Sequence, residues 1–138
     1  HPVNYWQAEF YIASELGFNQ IEFILDYNDY KMNPLISKKG IKEIFKMVEE
    51  TGVTVKSICA DYFMEAPFHS MNQKKSERIL KQLILNTAKL NIVDIVIPCV
   101  DQSTLKTEKD MNMLVKSINK VLPIAEKNNV FIYFEKHF

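Results

Sequence analysis

Glycine is scarce: the chain has three glycines in 138 residues. Phosphate-cradling loops of the nucleotide-binding kinds need several glycines at fixed spacing, so none can be built here. Charge of one sign is lacking too. Seventeen basic and seventeen acidic residues cancel and are interspersed rather than blocked, which argues against a general affinity for nucleic acid or for an acidic membrane. No apolar run approaches the roughly 18 residues needed to span a bilayer, and no secretion signal is visible. Cys59 and Cys99 are the only cysteines. Both fall inside predicted strands, where a buried, reduced thiol is expected rather than a disulfide framework. A soluble, cytoplasmic protein is the resulting expectation. Of three histidines only His69 lies away from the chain ends. A lone His beside a predicted helix start is more often a local contact than a metal ligand.

What the chain does have is a repeat of stops. Four helix-like stretches end at Gly17, Gly52, Asn91 and Asn129, steps of 35, 39 and 38 residues. Gly and Asn tolerate the left-handed backbone just past a helix C-terminus, which gives each stop a physical cause. Each is followed by a short apolar run, and the runs Ile21 to Asp26, Val55 to Asp61, Ile95 to Asp101 and Phe131 to Glu135 all finish in a carboxylate. Apolar strands without strict alternation suit parallel strands covered on both faces. Repeated strand–helix units of this kind predict an α/β fold with parallel (β/α) repeats, whose ligands bind at the strands' C-terminal ends.

The helices follow from periodicity. Trp6, Phe10, Ala13 and Leu16 mark one face of the first, and Ile41, Ile44, Phe45 and Val48 one face of the second, over about Ser37 to Glu50. Gly40 weakens the second helix's first turn slightly. Ser70 with Gln73 resembles a capping box opening a third helix, whose stripe is Ile79, Leu80, Leu83, Ile84 and Ala88. The last helix is expected to start near Thr107, with Glu108 and Asp110 at the positive end of its dipole. Its expected stripe is Met111, Leu114, Val115, Ile118 and Leu122. Pro123 is expected to kink it or to start a second helix. The loops after the strands, Tyr27 to Ile36 and Tyr62 to His69, are longer than those before them, as in a ligand-handling rim. Residues 1–138 are expected to form one structural unit. The chain opens on a helix without a preceding strand and closes at a strand tip, so a piece of a longer repeat is expected.

Taken in order, the stretches Trp6 to Asp26, Asn33-Pro34-Leu35, Ser57 to Met64, Ile97 to Ser103 and the final Ile132-Tyr133-Phe134-Glu135 resemble the xylose isomerase-like TIM-barrel superfamily. The resemblance is closest to its sugar-phosphate isomerase/epimerase branch, typified by L-ribulose-5-phosphate 3-epimerases. It covers the whole chain but only about half of a barrel: roughly strands two to five with flanking helices. It implies a metal-dependent isomerase or epimerase that moves a proton next to a carbonyl through an enediolate. The implied ligand is a sugar or sugar phosphate, in a homo-oligomer, with a divalent metal (Mn, Mg or Zn) in the intact parent. Glu135, at the tip of the fifth barrel strand, is implied both as a metal ligand and as the acid/base group, roles a carboxylate suits. The remaining ligands would come from strands that this sequence lacks, so the chain alone is expected to lack a complete active site and to hold no metal. Lys136-His137-Phe138 departs from the family pattern.

The other acids keep two readings each. Glu22, inside a strand, either contacts substrate or makes a structural ion pair. Asp26 and Asp61 either bond sugar hydroxyls or cap the next turn. Tyr62 either walls a sugar site or packs. Asp101 reads as a turn residue. Two other functions fit the pattern less well. An endonuclease IV-like DNA repair enzyme would need several strand-end histidines and a basic groove. A non-catalytic small α/β binding domain would leave apolar strand edges exposed.

Overall fold

A computed structural model of the chain describes residues 5–136; His137 and Phe138, where the family pattern breaks, lie outside them. Four helices and four strands alternate: α1 (Gln7–Glu15), β1 (Gln20–Ile24), α2 (Lys38–Thr51), β2 (Thr54–Cys59), then a one-turn helix α3 (Tyr62–Glu65), α4 (Gln73–Ala88), β3 (Asp94–Pro98), α5 (Glu108–Lys127) and β4 (Phe131–Glu135). The strands form one parallel sheet in the order β1-β2-β3-β4, with β1 and β4 at its edges. Each strand thus pairs with the next in sequence across one helical connection, which is an arc of a β/α barrel.

All four helix stops carry left-handed backbone: φ is +83° at Gly17, +73° at Gly52, +59° at Asn91 and +56° at Asn129. Ser37 starts α2 by accepting a hydrogen bond from the Gly40 amide at 2.9 Å. Thr107 and Asp110 make a reciprocal capping box at the start of α5, with Oγ1 accepting from the Asp110 amide at 3.1 Å and Oδ2 accepting from the Thr107 amide at 3.2 Å. Pro123 lies within α5, which continues through it as one helix rather than restarting.

The expected capping box at Ser70 and Gln73 does not form. Ser70 Oγ donates to the Pro67 carbonyl at 2.7 Å. Gln73 instead sends its Nε2 across to α5, donating to the Met113 carbonyl at 3.1 Å and to Ser117 Oγ at 3.0 Å. Parts of the expected helix faces are not covered, and the face of α5 is rotated. On α1, Trp6, Phe10 and Ala13 are buried, but Leu16 is 68% exposed. On α5 the buried residues are Leu114, Ser117, Val121 and Ala125, while Met111, Val115 and Leu122 face outward. On α2, Ile41 and Ile44 are buried as expected, with Met47 in place of Phe45.

Because side chains alternate across a strand, the sheet has two distinct faces. Phe23, Ile58, Ile95 and Ile97 are fully buried with Ile44, Leu80, Leu83 and Ile84 of the helices. The opposite, inner face carries paired rows: Glu22 with Ser57, Ser57 with Asp94, then Ile24, Cys59, Val96 and Tyr133, and finally Pro98 with Glu135. A bulge sets this phase. The β1–β2 register shifts between Ile21 and Glu22, so Lys56 has no partner on β1 and Ser57 comes opposite Glu22.

Candidate functional site

The carboxylates sit at the C-terminal end of the sheet, as the runs predicted. Strands β1, β2 and β3 end at Ile24, Cys59 and Pro98, a few residues short of Asp26, Asp61 and Asp101, and Glu135 is the last residue of β4. Backbone bonds carry the ladder past these ends and fix the loops. The Leu25 amide donates to the Cys59 carbonyl at 3.0 Å, the Tyr62 amide to the Leu25 carbonyl at 2.8 Å, and the Cys99 amide to the Glu135 carbonyl at 2.8 Å. Asn33 anchors the loop after β1, donating from Nδ2 to the Ile24 carbonyl at 2.9 Å and accepting from the Leu35 amide at 3.0 Å.

Asp26 and Asp61 come together in one cleft of about 410 Å³, which Tyr27, Asp29 and Glu65 also line. The volume is of the order that small-ligand pockets have. Asp61 does not cap the helical turn it precedes. Its Oδ1 instead accepts a bond from Cys59 Sγ at 3.0 Å. Glu65 accepts from Gln102 Nε2 at 2.6 Å, tying the loop after β2 to the loop after β3.

Glu22 and Glu135 do not line that cleft. Glu22 lies one pleat deeper on the inner face, where its Oε2 accepts from Ser57 Oγ at 2.8 Å. Both carboxylates are felt by Cys59. Burial is the largest cause pushing that thiol up to about 12, followed by the hydrogen bond to Asp61 and the negative charges of Asp61, Glu22 and Glu135. Cys59 is therefore a protonated donor at neutral pH. Cys99 is buried and raised as well, with Lys136 acting in the opposite direction. Both thiols are free.

Tyr62 is not at the surface of the cleft. It is 1% exposed, lying against Tyr27 and Tyr30 at centroid distances of 5.3 and 5.1 Å. Burial raises its pKa first, then the neighbouring Tyr30 and Tyr27, with Arg78 opposing. The aromatic that meets the cleft is Tyr27, 42% exposed. Sequence reasoning did not single out Tyr27, Asp29 or Glu65, although all three fall in the two long loops it read as rim. Asp101 opens a 3-10 turn with φ of +53°, as a turn residue should. His69 lies toward the start of α5. The backbone amide of Lys106 is the main cause lowering the Asp110 pKa there, and His69 adds to it.

Among the described residues no three His, Cys, Asp or Glu side chains gather closely enough to hold a metal ion. The residues present do not fit a divalent cation by themselves. No helix among them is long and apolar enough to cross a membrane.

An arc of parallel strands with carboxylates at its C-terminal rim is the geometry of a β/α barrel, the fold class in which ligand sites lie at that end. Residues 10–138 match the model of the xylose isomerase-like TIM barrel, and the chain belongs to that family. No curated protein matches it. Solved structures do. A 3-keto-D-glucoside 4-epimerase from E. coli matches over 93% of this chain and 49% of its own, at 16% identity and a TM-score of 0.69. A xylose isomerase-like TIM barrel protein from Mycobacterium smegmatis in complex with magnesium matches over 100% and 48%, at 14% identity and a TM-score of 0.71. An L-ribulose 3-epimerase matches over 91% and 43%, at 21% identity and a TM-score of 0.64. At these identities the likeness is one of fold, and the chain spans about half the length of the structures it matches.

Proposed function

We propose that this chain is the N-terminal half of a sugar or sugar-phosphate isomerase or epimerase that moves a proton on a carbon next to a carbonyl. The observation that carries the reading is the C-terminal rim. In a family whose solved relatives include two sugar epimerases, this chain places Asp26 and Asp61 in one cleft beside Tyr27. Carboxylates accept hydrogen bonds from vicinal hydroxyls, and an exposed aromatic face packs on the apolar side of a sugar ring or chain. Asp26 and Asp61 thus bind hydroxyls, Glu22 meets the substrate from deeper in the barrel, and Tyr62 serves by backing Tyr27.

Glu135 is the acid/base. At the tip of β4 it is exposed and can take the proton next to the carbonyl to give an enediolate, which an acid/base partner from the other half of the barrel reprotonates on the opposite face when the product is the epimer. A divalent metal in the parent would polarise that carbonyl and stabilise the enediolate. This chain could supply one ligand oxygen, from Glu135, and no proton transfer here is routed through the ion. The location is cytoplasmic and the assembly a homo-oligomer in this reading.

The test is Glu135→Gln in the protein that carries this segment within a complete barrel, assayed on ketose pairs in D2O. Loss of a general base should cut deuterium uptake by at least about a hundredfold with an unchanged circular dichroism spectrum. Uptake at the wild-type rate would remove Glu135 from the mechanism.

A further inference from the structure

The two inner-face donors of β2, Ser57 and Cys59, are two residues apart and each holds one carboxylate of the site. Ser57 Oγ donates to Glu22 Oε2 at 2.8 Å, across the strand pair. Cys59 Sγ donates to Asp61 Oδ1 at 3.0 Å, out of the strand end and toward the cleft. Neither hydrogen bond serves the sheet, whose own bonds are made by the backbone, and neither donor caps a helix.

From this juxtaposition we propose that Ser57 and Cys59 are positioning residues for substrate binding: each clamps one oxygen of a carboxylate and thereby aims its other oxygen at a sugar hydroxyl. The proposal rests on the reading above that Glu22 and Asp61 meet the substrate. A carboxylate offers about four lone-pair directions on two oxygens, so one clamped position leaves the rest for hydroxyl donors. The clamp removes rotation about the terminal carboxyl bond that substrate would otherwise have to freeze. A neutral donor suits this job because a cation would claim both oxygens as a fork. The thiol stays neutral among Asp61, Glu22 and Glu135, whose charges all oppose its ionisation. β2 does this for both acids at once because the bulge at Lys56 puts Ser57 opposite Glu22 and Cys59 opposite Ile24 in the same inner row.

Two measurements test it. The first needs no activity: alkylation of this chain by iodoacetamide near about pH 8, read per cysteine by peptide mass spectrometry. Asp61→Asn should speed Cys59 modification at least about fivefold relative to Cys99 in the same molecule, since the carboxylate that suppresses the thiolate is gone. An unchanged ratio means that Cys59 and Asp61 are not bonded, and overturns the proposal. The second is epimerisation kinetics of the complete-barrel protein. Ser57→Ala and Cys59→Ala should each raise KM about fivefold, the size of one net hydrogen bond, with kcat within about twofold. Cys59→Ser should restore KM because a hydroxyl donates in the same place, which a loss of packing alone would not allow. An active wild type with unaltered KM in both alanine variants overturns the positioning role. If Cys59 responds to Asp61→Asn but the wild type turns over no ketose or ketose phosphate, the sugar reading has failed rather than the clamp geometry.

Discussion

At Gly40 a single hydrogen stands where any other residue would place a carbon. A Cβ there would run into the backbone of Pro34, at the carbonyl oxygen, Cα and carbonyl carbon. That loop is itself pinned, with Asn33 bonded to the end of β1 and Asn86 Nδ2 donating to the Leu35 carbonyl at 3.0 Å. It cannot step aside as a flexible side chain would. Gly40→Ala should therefore destabilise the protein by about 1–3 kcal/mol, as overpacking does, against the slight gain that alanine would bring to an open helix. Urea unfolding decides it, and a midpoint equal to or above the wild type would refute the close approach. The role of Gly40 was not legible in sequence, because contact with Pro34 is tertiary. Gly17, Gly52, Asn91 and Asn129 were legible because the left-handed turn past a helix is local. Cys59 adds a pH signature. Its folded pKa is raised from about 9 to about 12, so its share of stability is complete below the unfolded thiol's pKa and is lost as pH climbs toward 12. Between pH 8 and 10.5 the denaturation midpoint of the wild type should fall more than that of Cys59→Ser, and parallel curves would exclude the shift.

Two helices begin with the same local sequence device, and only one of them uses it. Thr107 and Asp110 close their box on local backbone amides, with Asp110 Oδ2 also accepting from the Lys106 amide at 3.0 Å. Gln73 leaves Ser70 because α5 offers it the Met113 carbonyl and Ser117 Oγ. Ser117 in turn donates to Glu77 Oε1 at 2.8 Å, and Lys120 Nζ lies 3.6 Å from Glu77 Oε2. This buried polar seam is why α5 turns Ser117 inward and leaves Met111 and Val115 outside. Periodicity alone located an apolar stripe, but it could not say that a serine would outrank a valine for the covered face. Thr107→Ala should cost about 1 kcal/mol, the usual loss for a helix N-cap. Ser70→Ala tests the contrast: if it costs as much through fraying of α4, measured by amide exchange in the first turn, then the box assignment at Gln73 was right after all.

Across the molecule, strand order was readable because each short β–α unit can only hand the chain to the adjacent parallel position. The acids' grouping was less so. Neighbouring strands lie about 4.8 Å apart, so Asp26 and Asp61, following β1 and β2, share a cleft. Glu135, two strands beyond Asp61, stands about 10 Å away along the sheet, and its charge reaches the same thiol that Asp61 holds. Curvature of the arc, rather than sequence spacing, governs how closely these acids converge. The same arc leaves the inner row open at β4, with Phe131 61% and Tyr133 51% exposed. On α1 and α5 the apolar residues Leu16, Met111, Val115 and Leu122 are open as well. Apolar area of this extent on an uncapped parallel sheet edge favours association through that edge. Sedimentation velocity on the 138-residue chain should therefore show weight-average mass rising with concentration. Phe131→Lys with Tyr133→Lys should return it toward the monomer, because lysines on an edge strand blunt pairing. A wild-type chain that stays monomeric over a hundredfold concentration range would mean that the open row is not a sticky surface, and that the arc closes itself in some way the strand order does not disclose.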